Sequence, residues 1–250
     1  MSTVALFLII LVGLTTVTVF ATDPLLDLQF AASFHQPEVQ EIVHGLYPYL
    51  EALREYNASL TAVFVLLAIG SIAVRLIWPR GPMLMPARAA LLIVAAFALG
   101  PALLVNGVLK PYWPRPRPSA VIELGGTLPF VQWWDPRGAC DGNCSFVSGE
   151  ASAAYATLAL AAVVPPPWRY PAIGAALIYG TVIGLVRIAA GGHFLTDIIF
   201  SGIFTTLIVW ALHGCLFRWR RTRLSEEAAH HMIERTGLAI RSRLAKPPSR

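Results

Sequence analysis

The sequence predicts an all-α, polytopic membrane protein with six transmembrane helices. Hydrophobic residues make up 56% of the 250-residue chain and charged residues only 13%, against about 25% charged residues in a typical soluble domain. The apolar residues gather in long uncharged runs, and a run of about 20 crosses the hydrocarbon core of a bilayer as a helix. Helices satisfy their own backbone hydrogen bonds, as lipid requires. The predicted spans are residues 4–21, 59–78, 89–109, 149–164, 171–189 and 194–214.

The first and fourth predicted spans are atypical. The fourth is short, and it crosses the bilayer only if its polar start, Ser148 to Ser152, lies at the interface. The first ends in Val19-Phe20-Ala21, which is similar to a signal-peptide cleavage site. A signal peptide begins with a positively charged region, and Met1 to Thr3 carry no basic side chain. We therefore favour a retained first span over a cleaved one.

The distribution of charge predicts the orientation. Basic residues lie beside the connections after spans two and four and behind span six: Arg75, Arg80, Arg88, Arg169, Arg218, Arg220, Arg221 and Arg223. The opposite loops hold most of the acids: Asp23, Asp27, Glu38, Glu41, Glu51, Glu55, Glu123, Asp135 and Asp141. Basic residues are enriched in cytoplasmic loops, so we expect both termini in the cytoplasm and the acidic loops outside.

This orientation predicts one membrane domain, residues 1–223, and a flexible basic cytoplasmic tail, residues 224–250. The charge of the tail suits anionic lipid headgroups. No nucleic-acid partner is predicted, because no nucleic-acid-binding motif accompanies the tail.

The first external segment, residues 22–58, has apolar residues at helical spacing with acids between them, most clearly from Val39 to Leu53. This pattern predicts a helix lying in the membrane interface. A lid packed on the transmembrane helices is the alternative.

Cys140 and Cys144 lie in the long loop after span three, which the orientation places outside, where disulfides persist. The turn-rich sequence Cys140-Asp-Gly-Asn-Cys144 can close a small ring, and we favour a disulfide. A zinc site is the alternative, although no third or fourth ligand lies nearby.

The first of three polar clusters on the external side directly follows span three. It reads Lys110-Pro-Tyr-Trp-Pro-Arg115-Pro-Arg117-Pro118. Basic residues are depleted on the outer side of a membrane, so a cluster stiffened by prolines here indicates an anion clamp. Arginine pairs with phosphate oxygens through a planar fork, and lysine supplies a compact charge.

The second cluster opens span four with Ser145-Phe-Val-Ser148-Gly149-Glu150-Ala-Ser152. Ser148 and Gly149 at a helix N-terminus offer unpaired backbone N–H groups and the positive end of the helix dipole, which suit an anion. Glu150 lies in the first turn, where an acid is also common for helix capping alone.

The third cluster, Arg187-Ile-Ala-Ala-Gly-Gly-His193-Phe-Leu-Thr-Asp197, joins spans five and six. His193 and Asp197 are four residues apart and share a helix face. An aspartate that accepts a hydrogen bond from one imidazole nitrogen leaves the other free to act as base or nucleophile. Ionisable groups near the membrane are costly and usually functional.

Together the clusters predict an oxyanion site with a histidine nucleophile. The motifs contain no group of carboxylates for a metal, so we expect metal-independent phosphoryl transfer without a cofactor, in which charge stabilisation supplies most of the rate. The rival classes are a transporter and an inactive lipid-binding protein. Transporter sites lie near the bilayer midplane, whereas these charges gather at one face.

The clusters resemble the signature of the PAP2 superfamily, the type 2 phosphatidic acid phosphatases: Lys-x6-Arg-Pro, Pro-Ser-Gly-His and Ser-Arg-x5-His-x3-Asp. Lys110 and Arg117-Pro118 fit the first motif, whereas Arg115-Pro116 has the wrong spacing. Ser148-Gly149 fits the second in part, and the third is matched by Arg187, His193 and Asp197. The resemblance covers residues 110–197, and the six-span arrangement extends it to a PAP2-like helical bundle.

The resemblance implies a role for each matched residue. His193 attacks phosphorus and becomes a phosphohistidine, and Asp197 orients it. The phosphate oxygens are held by Lys110, Arg117, Arg187 and the backbone around Ser148 and Gly149.

The chain departs from the signature at three positions, where Val147 replaces the proline, Val186 replaces the serine and Glu150 replaces the histidine that protonates the leaving group. We hypothesise that Glu150 is the acid. A carboxyl donates that proton only when burial keeps it protonated, and basic neighbours oppose this.

Residues Gly125-Gly-Thr-Leu-Pro-Phe130 and Cys144 to Ser152 resemble a bacterial subgroup of this family, the lipid A phosphatases on the outer leaflet of the inner membrane, including the 4′-phosphatase type. This resemblance implies a lipid A-like substrate and an active site that faces the periplasm. Undecaprenyl pyrophosphate, phosphatidylglycerophosphate and phosphatidic acid are the alternative substrates.

Overall fold

The computed structural model describes residues 2–79 and 81–244, and they form helices joined by loops, with one isolated bridge between Val121 and Leu128. The predicted all-α fold is confirmed. The α-helices are α1 Thr3–Thr22, α2 Leu26–Ser33, α3 Pro37–Ile77, α4 Ala87–Phe97, α5 Lys110–Tyr112, α6 Gly149–Ala156, α7 Leu158–Val163, α8 Arg169–Ala189, α9 Leu195–His213 and α10 Glu226–Leu244. π-Helices extend α4 over Ala98–Leu109 and α9 over Gly214–Arg218, and 3₁₀ turns form at Pro118–Ala120 and Ile122–Leu124.

Five helices of the described chain are long and apolar enough to cross a membrane: Thr3–Thr22, Pro37–Ile77, Ala87–Tyr112, Arg169–Ala189 and Leu195–Arg218. They correspond to the first, second, third, fifth and sixth predicted spans, and the predicted polytopic membrane protein is confirmed. The count of six stays a prediction.

The fourth predicted span is a broken helix in the centre of the bundle. It consists of α6 and α7, separated at Thr157, whose hydroxyl donates to the carbonyl of Ala154 at 2.6 Å. Together they extend about 22 Å at 1.5 Å per residue, less than the hydrocarbon thickness of about 30 Å. None of residues 149–163 is exposed. Tyr155 packs where Gly180 and Gly202 have no side chain.

The predicted interfacial helix is wrong for residues 37–58, because this segment is continuous with the second span in α3, a single helix of 41 residues. No glycine or proline lies between Leu53 and the apolar run that starts near residue 59, so nothing in the sequence ends the helix there. At about 60 Å, α3 is twice as long as the hydrocarbon core is thick.

The alternative, a lid packed on the bundle, describes α2. Ala31 of α2 is buried in a cluster with Val121 and Phe194, and Leu28 packs against it. This contact brings residues from the N-terminal part of the chain to the start of α9.

The tail that we expected to be flexible instead forms helix α10 over Glu226–Leu244. Ala229 and Ile233 are buried together with Ala87 of α4, and Glu234 pairs with Arg75 at 3.3 Å. The apolar residues of α10 recur at helical spacing between its charges, so the helix buries one side while its basic residues stay outside. Arg80 and residues 245–250 lie outside the described residues.

Candidate active site

His193 follows a glycine turn that joins α8 to α9. Gly191 has a positive φ of 65°, which suits glycine because a Cβ would be strained there. At Gly192, a Cβ would lie 2.6 Å from Nη2 of Arg187. The missing side chain thus allows the Arg187 guanidinium to lie against the turn, beside the predicted nucleophile.

The His193 imidazole is buried, with 3% of the residue exposed. Its Nδ1 lies 2.7 Å from the carbonyl oxygen of Ser145. A carbonyl only accepts hydrogen bonds, so Nδ1 donates and Nε2 keeps its lone pair. Burial is the main cause that lowers the pKa of His193; Asp197 opposes this effect, and the charges of Arg187 and Arg117 add to it. The neutral imidazole is the form that a nucleophile needs.

Asp197, in the first turn of α9, does not make the predicted hydrogen bond to His193. Its Oδ2 is 3.7 Å from Nδ1 of His193, beyond the usual N–H···O range. That oxygen accepts from the backbone N–H of Phe194 at 2.8 Å and from the hydroxyl of Ser145. Asp197 is therefore linked to His193 through Ser145, whose carbonyl oxygen accepts the hydrogen bond from the imidazole. Motif spacing cannot reveal a contact made by a backbone carbonyl.

Arg115 is fully buried and forms ion pairs with two carboxylates. Its guanidinium lies 2.7 Å from Asp27 and 2.7 Å from Asp197, and its Nε donates to the carbonyl of Val131 at 2.9 Å. Asp27 also accepts from the backbone N–H of Thr196 at 3.0 Å. The motif spacing excluded Arg115 as a phosphate ligand. In the structure Arg115 is buried inside the protein. Its role and that of Asp27 were missed, because no local pattern links residues so far apart in sequence.

Lys110 and Arg117 are brought together by Asn143. Nζ of Lys110 donates to the side-chain oxygen of Asn143 at 2.9 Å, and Arg117 donates from Nε and Nη2 to its carbonyl oxygen at 3.0 and 2.8 Å. Nζ of Lys110 also lies 3.6 Å from where a Cβ of Gly149 would be. Burial, and next the charge of Arg187, lower the pKa of Arg117. Glu150, the residue after Gly149, pairs with Arg187 at 3.1 Å, so Arg187 reaches the same helix end as Lys110.

Asn143 belongs to a small ring closed by a disulfide. Cys140 and Cys144 are bonded, with Cα atoms 5.8 Å apart. Of the two alternatives raised by the sequence, the structure contains the disulfide. The sequence analysis named both cysteines but gave no role to Asn143 between them.

The start of α6 forms a wall of the site. Ser148 is the N-cap, and its hydroxyl accepts from the backbone N–H of Ala151 at 3.3 Å. The first turn of a helix leaves backbone N–H groups without intrahelical partners and carries the positive end of the helix dipole. With the ammonium of Lys110 beside Gly149, this helix end suits a phosphate group.

Glu150 is held between two guanidinium groups. Its Oε1 lies 2.7 Å from Nε of Arg54, and its Oε2 lies 3.1 Å from Nε of Arg187. Both carboxylate oxygens of Glu150 are therefore in contact with guanidinium groups. This geometry weighs against the hypothesis that Glu150 is the leaving-group acid. Arg54 was missed because it is the basic member of an otherwise acidic external segment, far from the three motifs in sequence.

A cavity of about 590 Å³ opens beside these charges. Lys110, Gly149 and Glu150 line one end. From there it continues between α3 and the Ala87–Tyr112 helix, and its lining includes Ile69 and Phe97 within the predicted membrane-spanning segments. The cavity thus joins a charged site to an apolar channel at membrane depth.

Residues 89–221, more than half of the chain, match the PAP2 superfamily. The chain belongs to the PAP2 superfamily. The resemblance predicted from the three motifs is confirmed, and the match includes every residue of those motifs.

Three curated relatives of this chain carry the same name. A lipid A 4′-phosphatase of Francisella tularensis subsp. novicida is 30% identical over 204 residues, which cover 80% of this chain and 90% of the relative. Lipid A 4′-phosphatases of Rhizobium etli and Rhizobium leguminosarum are 38% and 39% identical over 118 and 113 residues. These two matches cover 47% and 45% of this chain and 46% and 48% of the relatives. No solved structure matches significantly.

Family membership and these relatives identify the chain as a PAP2 lipid phosphatase, an enzyme that hydrolyses phosphoric monoesters. The apolar helices and the bacterial relatives make it a multi-pass bacterial membrane protein. Both predictions are confirmed at this level.

Asp27→Asn is expected to destabilise the protein by roughly 3 to 5 kcal/mol, because it breaks a buried ion pair and leaves Arg115 partly uncompensated. Thermal unfolding in detergent measures the effect as a lower midpoint. Asp23→Asn is the control, since Asp23 is exposed and the one described hydrogen bond of its side chain comes from the nearby N–H of Leu25. Equal midpoints for the two variants would contradict a structural role for the Asp27–Arg115 pair.

Proposed function

We propose that this PAP2 enzyme removes the 4′-phosphate of lipid A at the periplasmic face of the bacterial inner membrane, through a phosphohistidine at His193. One observation carries the proposal. The buried imidazole of His193 has its Nδ1 proton bound by a backbone carbonyl, so the lone pair on Nε2 is available, and the Arg187 guanidinium lies against the glycine turn directly before it.

The reaction has two steps. Nε2 of His193 forms a bond to phosphorus as the P–O bond to the lipid breaks, and the leaving oxygen takes the bond electrons and a proton from solvent water. Water then attacks the phosphohistidine, which releases inorganic phosphate and restores the imidazole. Lys110, Arg117 and Arg187 neutralise the charge on the phosphoryl oxygens in both steps, and the backbone at Ser148 and Gly149 binds them from the helix end.

Asp197 and Glu150 act on these groups rather than on phosphorus. Asp197 accepts a hydrogen bond from the hydroxyl of Ser145, and the carbonyl of Ser145 accepts one from the imidazole of His193. Glu150 holds Arg187 beside the glycine turn. We propose that Glu150 is a positioning carboxylate, because each of its two oxygens contacts a guanidinium group, one of Arg54 and one of Arg187.

The periplasmic location rests on the helix ends. Lys110 lies near the end of its helix, α6 and α9 begin at the site, and α8 ends there. The opposite end of α9 leads into the basic run that includes Arg220 and Arg221. The positive-inside rule places that run in the cytoplasm, so both termini are cytoplasmic and the site faces outward.

The lipid substrate is supported by the cavity and by the relatives. A phosphate at Lys110 leaves the apolar channel between α3 and the next long helix for an acyl chain. The three relatives named above are all lipid A 4′-phosphatases. Among the lipids considered, lipid A is therefore the substrate that we propose.

Purified protein is expected to release phosphate from lipid A that carries a 4′-phosphate, and to leave intact lipid A that carries only the 1-phosphate. His193→Ala is expected to abolish release, because no other described residue replaces its Nε2. Phosphate release in detergent measures both effects, with His44→Ala, at an exposed position of α3, as the matched control. Turnover by His193→Ala would contradict the nucleophile, and a preference for phosphatidic acid, phosphatidylglycerophosphate or undecaprenyl pyrophosphate would contradict the substrate.

Glu150→Gln is expected to slow the hydrolysis of lipid A and of p-nitrophenyl phosphate by a similar factor, about tenfold for the loss of one charged contact. A positioning carboxylate acts on Arg187 whatever the leaving group, whereas a general acid matters most for a poor one. Glu51→Gln is the control, since Glu51 pairs with Arg54 alone among the described residues. A loss confined to lipid A would restore Glu150 as the leaving-group acid.

The acid limb of kcat/KM is expected below the ordinary histidine value of about 6.5. Burial lowers the pKa of His193, so the neutral, active imidazole persists as the pH falls and is lost only at more acidic pH. The lipid phosphate itself titrates near pH 6, so its ionisation is measured separately by phosphorus NMR. A limb at or above 6.5 would contradict a buried neutral nucleophile.

A further inference from the structure

The ring Cys140–Cys144 contacts both cations of the first motif through one residue. Asn143 is exposed, yet its two oxygen atoms accept three hydrogen bonds, one from Lys110 and two from Arg117. None of the three motifs includes Asn143. Asn143 is thus a neutral residue that binds two cations of the proposed phosphate site.

Like charges repel, so cations that converge on a phosphate position disfavour that arrangement until an anion arrives. An amide oxygen and a carbonyl oxygen hold the two cations without adding a net charge. Lysine has three donor hydrogens and arginine five, so the contacts to Asn143 leave donors on Lys110 and Arg117 for phosphate oxygens. Asn143 therefore pre-organises the cations and does not displace the phosphate.

The ring is anchored to the same loop that carries the cations. The backbone N–H of Cys140 donates to the carbonyl of Pro114 at 3.2 Å, and that of Ser145 donates to the carbonyl of Arg115 at 2.9 Å. Between these anchors, Asn143 has a positive φ of 48°, a conformation that asparagine tolerates better than most residues. The disulfide closes the short segment between the anchors and limits the backbone conformations available to Asn143.

We propose that Asn143 is a positioning residue for phosphate binding, and that the Cys140–Cys144 disulfide keeps it in place. Asn143 holds Lys110 and Arg117 at the separation that a phosphate group needs, and it does so before the substrate arrives. This inference rests on the proposed phosphate site. Its substrate-independent consequence is that inorganic phosphate binds more weakly when the ring or its asparagine is altered.

Asn143→Gly is the sharpest test, because glycine adopts the positive φ without strain and keeps the carbonyl that Arg117 contacts. It removes only the side-chain oxygen that binds Lys110. We expect the Kd of inorganic phosphate, measured by calorimetry in detergent, to rise about tenfold. The KM for the lipid is expected to rise by a similar factor while kcat changes less than about twofold, since binding to the ground state and to the transition state is weakened equally.

Gly142→Ala is the matched control in the same ring. A Cβ at Gly142 meets no atom within 4 Å, so phosphate affinity is expected to match that of the wild type. The thermal midpoint of Asn143→Gly is also expected to equal that of the wild type, which separates a positioning effect from a loss of folding.

Replacement of both Cys140 and Cys144 by alanine keeps Asn143 and opens the ring. We expect weaker phosphate binding again, and less than additive loss when this change is combined with Asn143→Gly, because both act on the same contacts. Unchanged phosphate affinity in Asn143→Gly, or a fall in kcat at constant KM, would overturn the inference.

The calorimetric test does not depend on the identity of the lipid. A wild-type protein that binds phosphate but does not hydrolyse lipid A would overturn the proposed substrate alone. A wild-type protein that hydrolyses lipid A with the same KM and phosphate affinity as Asn143→Gly would overturn the positioning role alone. A wild-type protein that binds no phosphate would overturn both.

Discussion

The site depends on the two ion pairs that the buried guanidinium of Arg115 forms with Asp27 and Asp197. A charge taken out of water costs several kcal/mol and is tolerated only with close partners, so Arg115 requires Asp27 and Asp197 together. These partners come from α2 and α9, and Arg115 itself comes from the proline-rich loop. The pairing therefore fixes the relative position of three segments that are distant in sequence. Asp197 in turn holds Ser145, whose carbonyl holds the imidazole of His193.

Charge is arranged differently in the part of the site that faces the phosphate. Arg187 has a carboxylate partner in Glu150, whereas Lys110 and Arg117 are held by the neutral oxygens of Asn143. A carboxylate on every cation would compete with the phosphate and weaken its binding. The protein thus gives two carboxylate partners to Arg115, the cation that orders the fold, and only neutral partners to Lys110 and Arg117, for which we propose phosphate binding.

The sequence was sufficient for the features that recur at short range. Apolar runs predicted six spans, five of which are long apolar helices, and the three motifs from Lys110 to Asp197 together predicted the family. Contacts across long sequence separations were not predictable, and Arg115 with Asp27 and Asn143 with Lys110 are the clearest cases. Apolar periodicity predicted helix over residues 39–53 but could not show that it continues into the second span. Composition likewise suggested a disordered tail, although Ala229 and Ile233 have the spacing of a packed helix.

The enclosed position of α6 and α7 has a consequence for how the enzyme responds to its bilayer. A helix in contact with lipid tilts or shifts when the hydrocarbon thickness changes. None of residues 149–163 is exposed, so protein contacts hold α6 and α7 in place apart from the cavity that Gly149 and Glu150 line. We therefore expect the outer helices to absorb most changes in acyl-chain length, and the geometry around His193 to change little between membranes of different thickness.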